Sequence, residues 1–282
     1  MRAPHWMAAW LVVACWAGLA SAQGTTGPRT SDSSVGYIDP AIPGNVFRLR
    51  FDAADDNREP TRAEFFYAQG APRGPGLPEP EPRVNFQELS TYLEGLVSDR
   101  LSAFINLPVR FLEPERNPDH SGFSDLDAGF KYAFWEDANQ VGTFQFRTYA
   151  PTGDAALGLG TRHVSLEPSL LWYDRLSERW GLESEFRVWV PIGGTDFAGD
   201  IVRYGTGVHY DLCHARNCTF TPVLELVGWT VLNGKESVVP QVGPPVIEGA
   251  AGQTIVNLKL GVRVRYGDQA DLYMGYGRPL TG

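Results

Sequence analysis

Charged side chains fall on alternate positions through much of this chain, each set between apolar neighbours. Asp125, Asp127 and Lys131 interleave with Leu126, Phe130 and Tyr132, and Glu183, Glu185 and Arg187 interleave with Leu182, Phe186 and Val188. Arg147, Glu167, Arg203, Asp211, Glu225, Lys259, Arg263 and Arg265 follow the same rule. Successive side chains of a β-strand leave opposite faces, so these groups share one polar face of a sheet. The chemistry open to such a face is ionic. Carboxylates and guanidiniums can line an aqueous lumen and set its selectivity, or pair with one another and fill a narrow interior. The candidate lining residues are Asp127, Lys131, Arg147, Glu167, Glu185, Arg187, Arg203, Glu225, Lys259 and Arg263.

Other constellations carry weaker signals. His163 and Ser165 stand two apart, a spacing at which a histidine can activate a serine on a strand. That chemistry needs an orienting third group and access to lipid, and Ser165 shares the polar face with Glu167. Glu183 and Glu185 resemble a hydrolase pair in spacing alone. The run Pro151-Thr152-Gly153-Asp154 with Gly158 and Gly160 lacks the following helix that a phosphate cradle must open. The reading is therefore of a non-enzyme, with no catalytic residue, no metal and no cofactor.

Cys213 and Cys218 flank a short polar segment, 214–217. In an exported chain a disulfide closing this turn is the leading reading. Its rival is a zinc site using both thiols with His209 and His214, although that spacing matches no usual ligand pattern.

The elements that would position these groups are strands. Period-two alternation picks out eleven, near 45–53, 85–96, 101–112, 123–135, 141–150, 164–175, 180–191, 201–212, 218–232, 253–266 and 270–279. Several run ten residues or more, against about five or six in globular sheets and roughly 9–11 for a tilted bilayer crossing. Their connections alternate long and short, as in barrels with long loops on one rim and tight turns on the other. The fold class is all-β: an antiparallel up-and-down transmembrane β-barrel of about twelve strands, eleven visible and the last missing, since single-chain barrels of this kind have an even number. The alternative twelfth strand is 63–68 (AEFFYA), which would break the loop alternation. The Pro- and Gly-rich loop 54–84 is placed to fold over the mouth. Trp172, Trp180, Trp189 and Tyr173 lie near strand ends, where aromatic girdles form.

Composition agrees with a barrel. Of 282 residues, 12% are aromatic, mean hydropathy is -0.21 and net charge is -9. Interleaved lipid-facing and lumen-facing residues average to such values, and an acidic chain with no basic run is not a nucleic-acid binder. The N-terminus reads as a signal peptide over 1–22: Arg2, an apolar stretch over 7–19, then Ala20-Ser21-Ala22 as cleavage site. The alternatives are an anchor helix, for which the stretch is short, and a lipid-attachment box ending at Cys15. Residues 23–44 read as an irregular leader and 45–282 as the barrel domain.

Residues 122–135 (GFSDLDAGFKYAFW), followed by 146–160 (FRTYAPTGDAALGLG), resemble the outer-membrane proteins named for the MetA pathway of phenol degradation. The opening around 36–67, with VFRLRFDAA and RAEFFYA, is similar to a subgroup of them. The resemblance implies residence in the outer membrane, contact with its lipid, and passage of small, hydrophobic or aromatic molecules, with no catalytic residue carried over. The lost final strand departs from the family's pattern. The alternatives are a structural or adhesive surface barrel that transports nothing, or a secreted all-β binding protein.

Overall fold

The computed structural model describes residues 10–12, 36–57, 74–215, 218–238, 240, 243–267 and 270–281. In chain order the strands open with β1 (Trp10–Val12), β2 (Val46–Asn57), β3 (Val84–Ser98), β4 (Leu101–Pro114), β5 (His120–Phe123) and β6 (Leu126–Glu136). They continue with β7 (Gln140–Ala150), β8 (Val164–Arg175), β9 (Trp180–Ile192), β10 (Ile201–Tyr210) and β11 (Cys213–Ala215). The last are β12 (Cys218–Val231), β13 (Lys235–Val238), β14 (Val246–Gly249), β15 (Thr254–Tyr266) and β16 (Ala270–Pro279).

The long strands pair antiparallel with their neighbours and curl into one wall. From β10 it passes through β9, β8, β7, β6, β4 and β3 to β2 one way, and through β12 and β15 to β16 the other. At the seam, β1 lies between β2 and β16. Trp10, Leu11 and Val12 face Gly275, Met274 and Tyr273, and Leu11 also faces Phe51. Three residues thus hold the twelfth place in the ring, and they belong to the segment read above as a signal peptide. The eleven long strands fall where alternation placed them; the largest difference is β2, which runs on to Asn57. The candidate strand 63–68 and most of the 54–84 loop lie outside the described residues.

Burial is inverted relative to a water-soluble fold. Lys131 and Gln145 are 0% exposed and Arg187 and Arg263 are 1% exposed. Leu170, Phe186 and Leu260, on the other parity of neighbouring strands, are 53%, 50% and 55% exposed. Soluble proteins bury Leu and Phe and almost never bury unpaired Lys or Arg. The apolar stripes therefore pack against no second layer, and the polar face closes on itself.

Tight turns occupy one rim. Between β6 and β7 the Asp137 carboxylate accepts the N–H groups of Asn139 and Gln140 at 2.8 and 2.9 Å, which holds its pKa below the usual carboxylate range. Between β8 and β9 the Ser177 hydroxyl accepts from Trp180 N at 3.1 Å. Longer connections fill the opposite rim, tied by carboxylate acceptors. Glu81 accepts from the backbone of Glu115, Arg116 and Asn117, and Asp125 accepts from Gly153 and Thr161.

Inside the seam strands, Tyr273 sits in a notch of three glycines. A Cβ on Gly36, Gly261 or Gly275 would come within 2.3, 2.2 or 2.6 Å of its ring or hydroxyl. The ring is 5% exposed and walled on each of these sides, so it has little room to yield. Gly261→Ala is expected to destabilise the barrel by about 1–3 kcal/mol, the usual range for overpacking. The check is the temperature at which the folded, fast-migrating gel species converts to the unfolded one; an unchanged transition would mean that the ring relocates freely.

Candidate functional site

The interior is occupied by the chain itself. Residues 36–44 (GYIDPAIPG) precede β2 and form no strand. Pro40 and Pro43 lack the N–H that a ladder needs, and Asp39 carries the segment's only charge. The segment lies against side chains of the inner wall. Glu225 accepts the backbone N–H groups of Tyr37 and Ile38 at 2.9 and 3.1 Å. The Arg203 guanidinium donates to Tyr37 O at 3.1 Å. The Thr143 hydroxyl donates to Ala41 O at 2.5 Å, and Gly44 N donates to Glu94 at 3.0 Å. Ile38 packs with Val223, Val227 and Trp229, and Ala41 packs with Ala133, Val141, Leu171 and Tyr173.

Asp39 enters the middle of an ion-paired cluster. Its carboxylate lies 2.5 Å from Arg147, 2.9 Å from Arg187 and 3.8 Å from Arg48. Arg147 also meets Asp127 at 3.2 Å and Glu167 at 3.5 Å. Arg187 also meets Glu167 at 3.2 Å and pairs with Glu185. Arg203 closes the set on Glu185 at 2.6 Å. Buried charges are tolerated only when partnered closely, and removing one partner is far worse than removing both. The register explains why Glu185 is pivotal: Arg203 stands directly opposite Arg187, and Glu185 bonds to both. Like charges directly across a ladder repel unless such an acceptor intervenes.

Nearer the tight-turn rim a second cluster forms. Glu94 accepts from Lys131 at 2.9 Å, Tyr92 at 2.6 Å and Ser102 at 2.6 Å, as well as from Gly44. Toward the seam, Arg50 pairs with Asp52 at 2.6 Å, and the Lys259 ammonium lies 3.4 Å from the centroid of the Tyr37 ring. Between Asp39 and the long-loop rim a cavity of about 200 Å³ remains, with Arg147, Arg203, Tyr149, Trp189 and Trp229 among its walls.

The structure places all ten expected lining residues on the inner face. Asp127, Lys131, Glu167, Glu185, Arg187, Glu225, Lys259 and Arg263 are buried, and Arg147 and Arg203 are partly buried. Asp127, Arg147, Glu167, Glu185, Arg187 and Arg203 meet in the Asp39 cluster, and Lys131 belongs to the Glu94 cluster. Two assignments to the outer girdle are corrected. Tyr173 and Trp189 are 1% and 4% exposed and point inward, because they share parity with Leu171 and Arg187. Trp172 and Trp180 do face outward. Cys218 is a free thiol here, and the ladder sets Ala215 opposite it and Phe220 opposite Cys213. The His163 ring nitrogen bonds to Thr161 O at 2.9 Å. Among the described residues no group of three or more His, Cys, Asp or Glu is placed to hold a metal ion.

Asp39, Tyr37 and Glu94 were not singled out in the sequence. Glu94 had a signal, since it shares parity with the small polar Ser90 along β3. Asp39 had one too, as a lone acid in an apolar stretch punctuated by prolines.

No protein-family model matches this chain, and no curated protein does. Among solved structures it is similar to the crystal structure of the COG4313 outer membrane channel from Pseudomonas putida F1. The TM-score is 0.41 and the identity 14%, over 99% of this chain and 100% of that one.

The clusters predict an asymmetry between single and paired changes. Arg187→Met leaves three carboxylates short of a buried partner and is expected to destabilise the barrel by about 3–5 kcal/mol. Adding Glu185→Met is expected to recover part of that loss, read by the same heat-shift assay. Additive damage from the two changes would mean that the ion pair is not the stabilising unit.

Proposed function

We propose that this chain is an outer-membrane barrel that passes small molecules through a lumen closed at rest by residues 36–44. One observation carries the reading: a single curled sheet with an apolar exterior surrounds a polar interior that is occupied by the protein's own non-strand segment. An exterior of Leu170, Phe186 and Leu260 suits hydrocarbon and not water. With no helix among the described residues long and apolar enough to span, crossing would rest on the strands. The resemblance to the family named for the MetA pathway supports small hydrophobic or aromatic solutes. In this reading 1–22 is removed on export, the mature chain begins at Gln23, and β2 and β16 must close the seam without the three residues that stand between them here.

A second reading, a surface barrel that transports nothing, is favoured by the ion pairs that fill the lumen. Liposome swelling separates the two, since a permanently filled barrel admits no solute. Replacing 36–44 with a Gly-Ser linker of equal length is expected to raise conductance in planar bilayers several-fold, in protein that keeps its heat-dependent gel shift. Equal conductance would remove the segment from the gating role.

The membrane assignment has its own check. Leu170→Arg and Leu260→Arg put a charge at mid-wall outward positions, where a bilayer penalises it by roughly 2–4 kcal/mol. The expected result is a lower yield of folded barrel in the detergent-extracted membrane fraction. Full yield, or extraction by aqueous buffer alone, would sink the assignment.

A further inference from the structure

We infer that the lumen holds a binding site for a small aromatic carboxylate, and that Asp39 occupies it as an internal stand-in. The inference rests on the transport reading and names its substrate class.

The argument begins with charge. Four guanidiniums (Arg48, Arg147, Arg187 and Arg203) and four carboxylates (Asp39, Asp127, Glu167 and Glu185) are joined in one set of ion pairs. Seven of these groups are fixed to the wall strands β2, β6, β7, β8, β9 and β10. The eighth, Asp39, is carried by the segment that must leave if the lumen is to open. Its departure takes from Arg147 and Arg187 the carboxylate that they now share at 2.5 and 2.9 Å. Charge-assisted hydrogen bonds of this kind are among the strongest a guanidinium makes, so the open state favours an anion where the Asp39 carboxylate was. A solute bearing a carboxylate supplies it. Planar guanidiniums such as Arg147 and Arg187 accept that geometry well, as they already do with Asp39.

The walls next to this position select the rest of the solute. The cavity of about 200 Å³ adjoins Asp39 and includes Tyr149, Trp189 and Trp229. About 150 Å³ suffices for a benzene ring. Arg147 lies 5.9 Å from the Tyr149 ring centroid, and Arg203 lies 5.6 Å from that of Trp229. Cations and aromatic faces are thus interleaved around the space, an arrangement that stacks a ring while holding its acid group. A neutral ring of the same size has the stacking and lacks the charge, and acetate has the charge and lacks the ring.

The site accounts for opening by exchange. The aromatic acid binds the guanidiniums that Asp39 releases, and the segment loses its central tie while Arg147 and Arg187 keep a carboxylate partner. A ligand shifts such an equilibrium only by its differential affinity for the two states. Here that difference is built in, because the closed state has the anion position filled.

The test uses purified full-length protein in detergent, with benzoate, benzyl alcohol and acetate as probes and calorimetry or tryptophan fluorescence as readout. Asp39→Asn removes the internal competitor and is expected to tighten benzoate binding by at least about tenfold, the scale of one charged hydrogen bond, while benzyl alcohol and acetate gain little. No gain for benzoate, or an equal gain for benzyl alcohol or acetate, would overturn the inference. A second measurement does not depend on that variant folding. In a chain whose native cysteines are serine, Ala41→Cys is expected to react faster with maleimide when benzoate is present, and not with benzyl alcohol. Benzoate-independent labelling would likewise overturn it. Liposome flux reads the transport proposal separately: benzoate binding as described without any solute flux would sink transport and leave the site standing.

Discussion

A wall one residue thick has two faces and only one interior. That constraint governs the whole molecule. Every strand alternates, so whatever the outer face is, the inner face is its opposite. With Leu, Phe and Val outward, Asp, Glu, Lys and Arg must point to the centre, where burial would be ruinous for isolated charges. The protein meets this by pairing inward charges with one another and, at Asp125 and Glu225, by aiming backbone N–H groups at the carboxylate. Lys131 with Glu94, Arg50 with Asp52, and the set around Arg147 and Arg187 are consequences of closing an alternating sheet on itself.

The wall does not complete this neutralisation alone. In the largest cluster the strands contribute one guanidinium more than they contribute carboxylates, and Asp39 makes up the difference from a segment outside the sheet. The same segment receives backbone hydrogen bonds from Thr143 and Arg203 and gives its own N–H groups to Glu225 and Glu94. Five of its backbone groups, the N–H of Tyr37, Ile38 and Gly44 and the C=O of Tyr37 and Ala41, are thus satisfied although it belongs to no ladder. Threaded through the interior, it does for charge and volume what a second sheet does for an ordinary sandwich.

Much of this was legible in the sequence. Eleven strands and the inward parity of ten charged residues followed from a period of two, because nothing in a one-layer wall competes with that pattern. Aromatics near strand ends misled for Tyr173 and Trp189: position along a strand suggested a girdle, whereas parity decides the face, and both share theirs with inward residues. The occluding segment was invisible as such. Its apolar residues have no period, and the partners of Asp39 are 106 or more residues away except for Arg48. Such pairing is set by the tilt and stagger of the closed sheet, which no local window encodes.

The register carries the last step, because it separates a filled lumen from a merely charged one. Composition would have allowed Arg187 and Arg203 to sit apart, each with its own acid. Instead the ladder places them face to face across β9 and β10, with Gly205 opposite Glu185. The glycine leaves open the space beside the carboxylate: a Cβ there would lie 3.3 Å from the Glu185 side chain and 3.3 Å from Ile38. One small residue on the wall thus lets Glu185 bridge two cations while the 36–44 segment packs over it. The charge arrangement and the occluding segment are in this way one design, and neither can be altered without exposing what the other compensates.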